Sequence, residues 1–316
     1  MNGPALKLPS FAKINWTLRV LGKRADGYHQ IDTVLQTVSL HDDLTFTPRD
    51  DTKVVVHCDA PGVPTDETNL AVRAAYALRE AAKVAHGVDI HLRKRVPSQA
   101  GLGGASSNAA VTLLALNQLW RTRIDIEELI MIGRALGSDV PFFFTGGVAR
   151  ATGTGTTISP LSDGAKQLLL IVTPGVSVST PLAYQALNSP SLTTTGSTSI
   201  LSSSFTEPFL SDSNQWAPYN DFEGVIFEIE PEIKRAKQAL LDAGAQGGLL
   251  AGSGSSVFGI FENEDAREQA LAVLKCETGW QTFSCETVSR QEYSKALSSS
   301  GCSLLRSLNF QTDTGA

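Results

Sequence analysis

Residues 97–108 form a glycine- and serine-rich segment, PSQAGLGGASSN, that stands between a strand-like run and a helix-like run. Its three glycines permit positive φ angles and let the backbone approach a ligand closely. Successive free N–H groups in such a loop can bind an anion, and the first turn of the following helix adds the positive end of its dipole. Ser106 and Ser107 could cap that helix or donate to a phosphate. The segment therefore predicts a phosphate-binding loop.

The segment differs from the two best-known phosphate-binding loops. It lacks the Gly-Lys-Ser/Thr ending of a P-loop. Ser106 also stands where the last glycine of a dinucleotide-binding loop would be. A glycine-rich turn with a serine N-cap and no ligand is the plainer alternative. The length of the run and the two adjacent serines favour phosphate binding over that alternative.

Asp139 is a lone carboxylate ahead of Pro141 and three consecutive phenylalanines. A partly desolvated carboxylate can orient or deprotonate a hydroxyl for attack on a phosphate. By itself the residue would be interpreted as an ordinary turn aspartate. A second glycine–serine run, at 247–258, predicts on its own only a tight hairpin turn.

Length and composition limit the class of protein. The chain has 316 residues and a net charge of −6, which argues against a protein that reads a nucleic-acid backbone. No apolar run is long enough to cross a membrane, and residues 1–10 lack the apolar stretch of a signal peptide. We therefore expect a cytoplasmic protein with no nucleic-acid or membrane partner. Its four cysteines lie far apart, so reduced thiols are expected and a zinc site is not.

The elements that must position these residues are mixed along the chain, so the pattern predicts an α+β fold instead of a doubly wound sheet. Period-two or continuous apolar runs predict strands. They lie at 12–21, 31–40, 54–58, 88–92, 168–172 and in both halves of 248–261. Apolar periodicity and capping residues predict helices. These lie at 70–84, 106–120, 126–136, 231–243 and 265–274.

The length suggests two domains. We predict an N-terminal, ATP-binding domain at 1–163 and a C-terminal domain at 164–316. A Ser/Thr-rich surface insertion is expected at 189–213 and a flexible tail at 305–316.

Three segments together resemble the signatures of the GHMP kinase superfamily. They are Ala-Lys-Ile-Asn at 12–15, the loop at 97–108, and the glycine-rich run at 251–256. The resemblance implies an ATP- and Mg²⁺-dependent small-molecule kinase. It also implies a ribosomal-protein-S5-like N-terminal domain, a ferredoxin-like C-terminal domain, and an active site in the cleft between them.

Further segments are similar to one branch of this superfamily, which acts on a cytidine-diphosphate sugar alcohol. They are Arg-Ala-Asp-Gly-Tyr-His at 24–29, Gly-Ser-Asp-Val-Pro at 137–141 and Asn-Asp-Phe-Glu at 220–223. The similarity extends over about 8–261. Ala105 stands where this branch more often has glycine, and the 189–213 insertion is longer than the family leads us to expect.

The resemblance implies roles for individual residues. Lys13 and Asp139 would be catalytic, although Lys13 taken alone could be a strand-end lysine whose ammonium reaches solvent. The residues implied to bind ATP are Asn69, Lys94, Pro97, Gly101, Leu102, Gly103, Gly104, Ala105, Ser106 and Ser107, and Ser107 could also contact Mg²⁺. The residues implied to bind the substrate are Asn15, Tyr28, His29, Asp139, Thr180 and Tyr184.

Tyr28 and His29 would read the cytosine, and Tyr184 would close its other face. Without the family resemblance, His29 would be interpreted as a solvated turn histidine. Three other functions stay open: a GHMP kinase for mevalonate, homoserine or a sugar, a non-catalytic nucleotide-binding module, and an acyl-transfer enzyme that uses a serine. We expect a monomer or a weak homodimer.

Overall fold

The computed structural model describes residues 4–187 and 218–300. The predicted insertion at 189–213 and the predicted tail at 305–316 lie outside these residues. The strands are β1 (Leu6–Lys23), β2 (His29–Arg49), β3 (Val54–Cys58), β4 (Gly87–Arg93), β5 (Val148–Gly153), β6 (Thr157–Pro160), β7 (Leu168–Thr173), β8 (Tyr219–Asn220), β9 (Gly247–Leu250), β10 (Val257–Phe261) and β11 (Gln281–Glu286). The helices are α1 (Leu70–Ala82), α2 (Gly104–Leu119), α3 (Ile126–Leu136), α4 (Phe142–Thr145), α5 (Thr180–Leu187), α6 (Phe222–Ile229), α7 (Pro231–Asp242), α8 (Glu264–Leu274) and α9 (Arg290–Ser299).

The strands form two sheets. The larger has the order β3-β4-β2-β1-β8, and β5 pairs with both β2 and β6. The smaller is antiparallel, in the order β11-β7-β10-β9. Mixed pairing with helices between strands confirms the predicted α+β fold. The domain boundary at 163/164 stays a prediction.

β1 is the strand that connects the two halves. Its early residue Leu8 packs in the core formed with α1 and α2, and Ile14 lies in a cluster between the two sheets. Leu18 then joins the core of the smaller sheet. Trp16 meets Phe258 of β10 edge-on, with ring centroids 5.7 Å apart. Because β1 is covered on both faces, any polar side chain in its middle must find its partners inside the protein.

α2 is buried almost all round: every residue from Ser107 to Asn117 is buried. It begins at Gly104, two residues before the predicted start, and its N-cap is Gly103 in the left-handed region. The predicted capping role of Ser106 and Ser107 is therefore wrong. The glycine N-cap turns the chain sharply and leaves both serines inside the first helical turn.

The last described helix packs on the larger sheet, although it follows β11 of the smaller one. Tyr293 and Leu297 of α9 are fully buried in the core that α1 and α2 form with that sheet. The Tyr293 hydroxyl donates to the carbonyl of Phe143. No sequence pattern indicated α9, because its composition is largely polar. None of the helices in 4–187 and 218–300 is long and apolar enough to cross a membrane.

The contact between α9 and the larger sheet predicts a stability effect at Gly146. Its φ is 63°, and a Cβ there would lie 2.2 Å from Cδ1 of Tyr293. We expect Gly146→Ala to lower the free energy of unfolding by about 2 kcal/mol or more, since backbone strain and overpacking add. Urea titration measures this change.

Gly224→Ala is the matched control, because nothing lies within 4 Å of a Cβ added to that helical glycine. It should change the free energy of unfolding by less than about 1 kcal/mol, in the stabilising direction. Equal destabilisation by the two substitutions would contradict the role given to Tyr293.

Candidate active site

Lys13 is the buried cation in the middle of β1. Only 3% of the residue is exposed, and its Nζ donates to Oδ1 of Asn15 over 2.9 Å. The same Nζ lies 3.6 Å from Oδ2 of Asp139. Lys13 and Asn15 share a strand face because they are two residues apart. A solvent-reaching ammonium is thus ruled out, and the side chain is held by partners inside the protein.

Asn15 is fixed in turn. Its Nδ2 donates to Oγ1 of Thr33 over 2.8 Å, and that hydroxyl donates to the Thr17 carbonyl. All three side chains are buried. The chain of bonds orients the amide oxygen toward Lys13, so the ammonium has little freedom to move. Thr33 is a member of this site that sequence reasoning missed, since a strand threonine carries no distinguishing signal.

The loop at 97–108 lies directly on Lys13. The Lys13 amide donates to the Leu102 carbonyl over 2.9 Å. Gly103 has a φ of 70°, and a Cβ there would lie 2.9 Å from Cγ of Lys13 and 3.0 Å from Cζ of Phe143. Only glycine fits both the backbone and the space at this position. The loop is a cradle that a single methyl group would fill, which suits it to the close approach of a phosphate.

The glycine-rich run at 251–256 closes the same site. Gly101 has a φ of 77°, and a Cβ there would lie 1.9 Å from the Ala251 carbonyl oxygen. The Ser256 amide donates to the Ala100 carbonyl over 3.2 Å. A Cβ on Gly252 would lie 3.3 Å from Nζ of Lys13. All three sequence signatures therefore meet at one lysine.

The Asn-Asp-Phe-Glu segment at 220–223 fastens this second loop to the rest of the site. Asn220 Nδ2 donates to the carbonyls of Leu250 and Gly252, over 2.9 and 2.7 Å. Oε1 of Glu223 accepts from the Leu250 amide over 2.9 Å. Asp221 accepts from the Val20 amide of β1 over 2.6 Å. In this structure the segment has a positioning role.

The two serines of the first loop differ in accessibility. Ser107 is fully buried, with its Oγ 2.8 Å from Oγ of Ser10. Ser106 is half-buried, and neighbouring Ala105 is exposed on the first turn of α2. The Ser107 hydroxyl is engaged inside the fold, so its contact with Mg²⁺ stays a prediction.

The donor set near the loop is suited to a magnesium ion that is held mainly by phosphates. The described residues contain no group of three or more His, Cys, Asp or Glu side chains that could hold a metal. Kinase magnesium sites use one or two carboxylates together with substrate phosphates. Asp139, with 36% of its side chain exposed, is a carboxylate available for such a site.

Lys94 and Asn69 are used by the fold. Lys94 Nζ lies 2.9 Å from Oδ2 of the fully buried Asp42, which also accepts from the Arg95 and Val96 amides. The Asn69 side chain caps α1 by accepting from the Ala71 amide over 2.8 Å. Their predicted contacts with the adenine end of ATP stay predictions. Sequence reasoning missed Asp42. This carboxylate fixes the turn that leads from β4 into the loop at 97–108, in which Pro97 is half-buried and Gly104 is buried.

A cavity of about 1430 Å³ lies beside Asp139, since it is lined by the neighbouring Ser138 and by Tyr184, whose pKa the Asp139 charge affects. Its walls are the β1–β2 turn, the end of α3 and the start of α5. The lining residues with polar or aromatic side chains are Lys23, Arg24, Asp26, Tyr28, His29, Arg134, Ser138, Thr154, Thr156, Thr180, Tyr184 and Gln185. The structure thus brings the predicted substrate residues Tyr28, His29, Thr180 and Tyr184 to one cavity beside Asp139.

The aromatic side chains of the cavity are arranged around Tyr184. The His29 ring stacks on it with centroids 4.4 Å apart, and Phe222 meets it edge-on at 4.9 Å. Burial, and secondarily the charge of Asp139, raises the pKa of Tyr184 to about 12. The phenol is therefore protonated at neutral pH. Tyr28 is 67% exposed at the cavity mouth, with one ring available for stacking.

The surroundings of His29 favour its neutral form. Burial first, and then the charge of Lys23, lowers the pKa of His29 below its usual value. A neutral imidazole carries one donor and one acceptor nitrogen, which is what a base edge requires. At 4.4 Å the His29 and Tyr184 rings are in contact, so a base enters between them only if they separate. The predicted closure of the cytosine by Tyr184 stays a prediction.

The turn that presents Tyr28 and His29 is rigidified by its own charges. Arg24 Nε donates to Oδ2 of Asp26 over 3.0 Å, and the Tyr28 amide donates to Oδ1 of Asp26 over 3.1 Å. The hydrogen bond from Arg24 is the main reason why the pKa of Asp26 is lowered. On the facing wall, the hydroxyl oxygen of Thr180 lies 3.0 Å from the hydroxyl oxygen of Ser253 in the second glycine loop.

Two family models match the sequence. The GHMP kinases N terminal domain matches residues 69–147, and GHMP kinases C terminal matches residues 208–279. A protein from Syntrophus aciditrophicus named 4-diphosphocytidyl-2-C-methyl-D-erythritol kinase is 41% identical over 284 residues, which cover 90% of this chain and 99% of that protein. The chain belongs to the GHMP kinase family.

Other relatives of this GHMP kinase agree. A protein of the same name from Thermodesulfovibrio yellowstonii is 39% identical, with 84% of this chain and 93% of that protein covered. A crystal structure of 4-(cytidine 5'-diphospho)-2C-methyl-D-erythritol kinase has a TM-score of 0.73 at 34% identity, covering 89% of this chain and 99% of that one. A homoserine kinase from Cytophaga hutchinsonii, 19% identical with a TM-score of 0.63, shares the fold and covers 92% of this chain and 96% of that one.

The fit of Gly103 against Lys13 predicts a functional effect of one methyl group. Gly103→Ala should lower kcat/KM for ATP by at least about tenfold, because a small displacement of a catalytic group costs that much. Gly279→Ala is the matched control. Its φ of 81° imposes the same backbone strain, but nothing lies within 4 Å of the added Cβ.

Gly279→Ala should be about 1 kcal/mol less stable than the wild type from backbone strain alone. Gly103→Ala should lose more stability, because its contacts with Lys13 and Phe143 add overpacking to that strain, so both variants are assayed at a temperature where urea titration shows them folded. Phosphoryl-transfer assays with both variants make the comparison. If Gly103→Ala retains wild-type kcat/KM for ATP, the loop does not position Lys13 for ATP.

Proposed function

We propose that this chain transfers the γ-phosphoryl group of ATP to the 2-hydroxyl of 4-diphosphocytidyl-2-C-methyl-D-erythritol, in the non-mevalonate supply of isoprenoid precursors. The observation that carries the proposal is the Lys13–Asp139 pair, 3.6 Å apart, between the glycine loop and the aromatic cavity. A kinase for this substrate needs a phosphate cradle on one side of the reacting hydroxyl and a nucleobase pocket on the other.

Asp139 acts on the acceptor hydroxyl. The carboxylate is half-exposed, so a hydroxyl in the cavity can reach it directly. When the acceptor oxygen forms its bond to the γ-phosphorus, the bond from that phosphorus to ADP breaks and the hydroxyl proton passes to an Asp139 oxygen. The substrate contact predicted for Asn15 stays a prediction, since its side chain is buried and bonded to Lys13 and Thr33.

Lys13 supplies fixed positive charge to the reaction. Its ammonium is buried and held by Asn15, so it need not reorganise when negative charge moves between the phosphates. ATP with bound Mg²⁺ supplies the phosphoryl group and neutralises part of its charge. The residues that would hold the phosphates are the loop residues 101–107, while Ser106 is the more accessible hydroxyl for them.

The proposal includes the setting in which the enzyme acts. We expect it in the cytoplasm, where ATP is abundant, as a monomer or weak homodimer. Its partners would be small molecules only.

Substrate choice is tested by turnover. Purified protein with ATP and Mg²⁺ should phosphorylate 4-diphosphocytidyl-2-C-methyl-D-erythritol with a kcat/KM far above that for mevalonate, homoserine or galactose. The physical reason is that none of those acceptors can occupy the cavity at Tyr28 and His29. Equal or better turnover of any alternative acceptor would overturn the substrate assignment and leave the kinase class intact.

The chemical role of Asp139 is tested by Asp139→Asn, which keeps the shape of the side chain and removes its charge. We expect kcat to fall by about 100- to 10,000-fold, the range for a general base, with the KM for ATP near the wild-type value. Asp242→Asn, an exposed carboxylate on α7, is the control and should be fully active. Unchanged kcat in Asp139→Asn would contradict the role given to Asp139. A wild type that binds ATP without phosphoryl transfer would instead support a non-catalytic nucleotide-binding module.

A further inference from the structure

The cavity beside Asp139 is positively charged in an acidic protein. Among the described residues, three cations, Lys23, Arg24 and Arg134, line it, against one carboxylate, Asp26. Over the whole chain the balance is reversed, with a net charge of −6. A local excess of positive charge in a concave site raises the local concentration of an anionic ligand and orients it.

Arg24 is not available to such a ligand. Its Nε and Nη2 both lie 3.0 Å from Oδ2 of Asp26, and its Nη1 donates to Gln30 over 3.1 Å. These contacts hold the β1–β2 turn in shape. The charge of Arg24 is therefore largely neutralised by its neighbour.

Arg134 is in a different situation. It is exposed at the end of α3, five residues before Asp139, and its Nη1 contacts the sulfur of Met131 at 3.5 Å. In 4–187 and 218–300 it has no carboxylate partner, and neither does Lys23 on the turn side of the same cavity. Among the residues that the structure describes, two cations without a carboxylate partner thus line the cavity that also holds Tyr28 and His29.

We propose that Arg134 is a positioning residue that binds the diphosphate of the substrate, with Lys23 adding a second positive charge. The inference rests on the proposed function and names the group that orients the acceptor. In a cytidine-diphosphate alcohol the diphosphate joins the nucleoside to the sugar alcohol. With the base at Tyr28 and His29 and the reacting hydroxyl at Asp139, the diphosphate lies in the same cavity that Arg134 and Lys23 line.

The chemistry of the side chain suits this task. Both phosphates of the substrate are ionised at neutral pH, and a guanidinium offers a planar fork of donors that matches phosphate oxygens. Arg134 also lies in the last turn of α3, where a cation interacts favourably with the helix dipole. If Arg134 acted only on the helix dipole, its replacement would change the stability of the protein and would leave the affinity for a ligand's phosphates unchanged.

The test compares Arg134→Gln with Arg134→Lys and with Arg121→Gln, which removes an exposed arginine that does not line the cavity. Arg134→Gln should raise the KM for the cytidine-diphosphate acceptor by about 10- to 100-fold, the loss expected for hydrogen bonds to a charged group. The KM for ATP and the melting temperature should stay near wild type. Arg134→Lys should show a smaller rise, and Arg121→Gln none.

A binding measurement separates the diphosphate role from a structural one. Titration calorimetry gives the ratio of the affinities for cytidine 5'-diphosphate and cytidine. The wild type should prefer the diphosphate, and this preference should weaken with added salt. In Arg134→Gln the ratio of the two affinities should fall about tenfold. If Arg134→Gln unfolds at a lower temperature, Arg134→Lys, which keeps the charge at the helix end, serves for the same ratio.

The outcomes distinguish the role of Arg134 from the proposed reaction. Turnover of the acceptor with an unchanged acceptor KM and an unchanged binding ratio in Arg134→Gln would overturn the role of Arg134 alone. A wild type that prefers the diphosphate in an Arg134-dependent way but does not phosphorylate the acceptor would overturn the proposed reaction and support the binding role. Equal rises in the KM for ATP and for the acceptor would also overturn a diphosphate-specific role.

Discussion

The burial of the Lys13 ammonium group determines what the other residues of the site must provide. Lys13 lies in a strand that is covered on both faces, so its charge must be compensated by partners within the protein. Asn15 and Asp139 provide them, and both are groups that a phosphorylation reaction can use. The surrounding strands, helices and loops bring these partners to a buried strand.

Close backbone approach is the second requirement, and it explains where the glycines lie. The two glycine loops come from opposite halves of the chain and touch each other and Lys13 at distances that exclude a side chain. Asn220 and Glu223 hold the second loop by hydrogen bonds to its backbone. A phosphate bound between these loops, as we propose, would meet a surface made largely of backbone whose donors are already organised by folding.

The acceptor side is built by different means. In the described part of the chain, aromatic rings, a histidine whose pKa is lowered and two cations without carboxylate partners line a wide cavity, and Arg24 and Asp26 hold its turn by hydrogen bonds. This contrast fits a division of tasks between the halves of the site. The phosphate side must be rigid to orient the transfer, while the acceptor side must admit a long, charged molecule and hold it at its two ends.

The sequence by itself determined the α+β class, most helices and strands, and the family, because periodicity, capping residues and glycine runs are local signals. It also pointed to Lys13 and Asp139, although 126 positions separate them. Their proximity, the left-handed cap at Gly103 that moves the start of α2, and the buried partners Thr33 and Asp42 were decided by tertiary structure. So was the return of α9 to the larger sheet. These features depend on which side chains of distant segments share a buried space, and no local pattern carries that information.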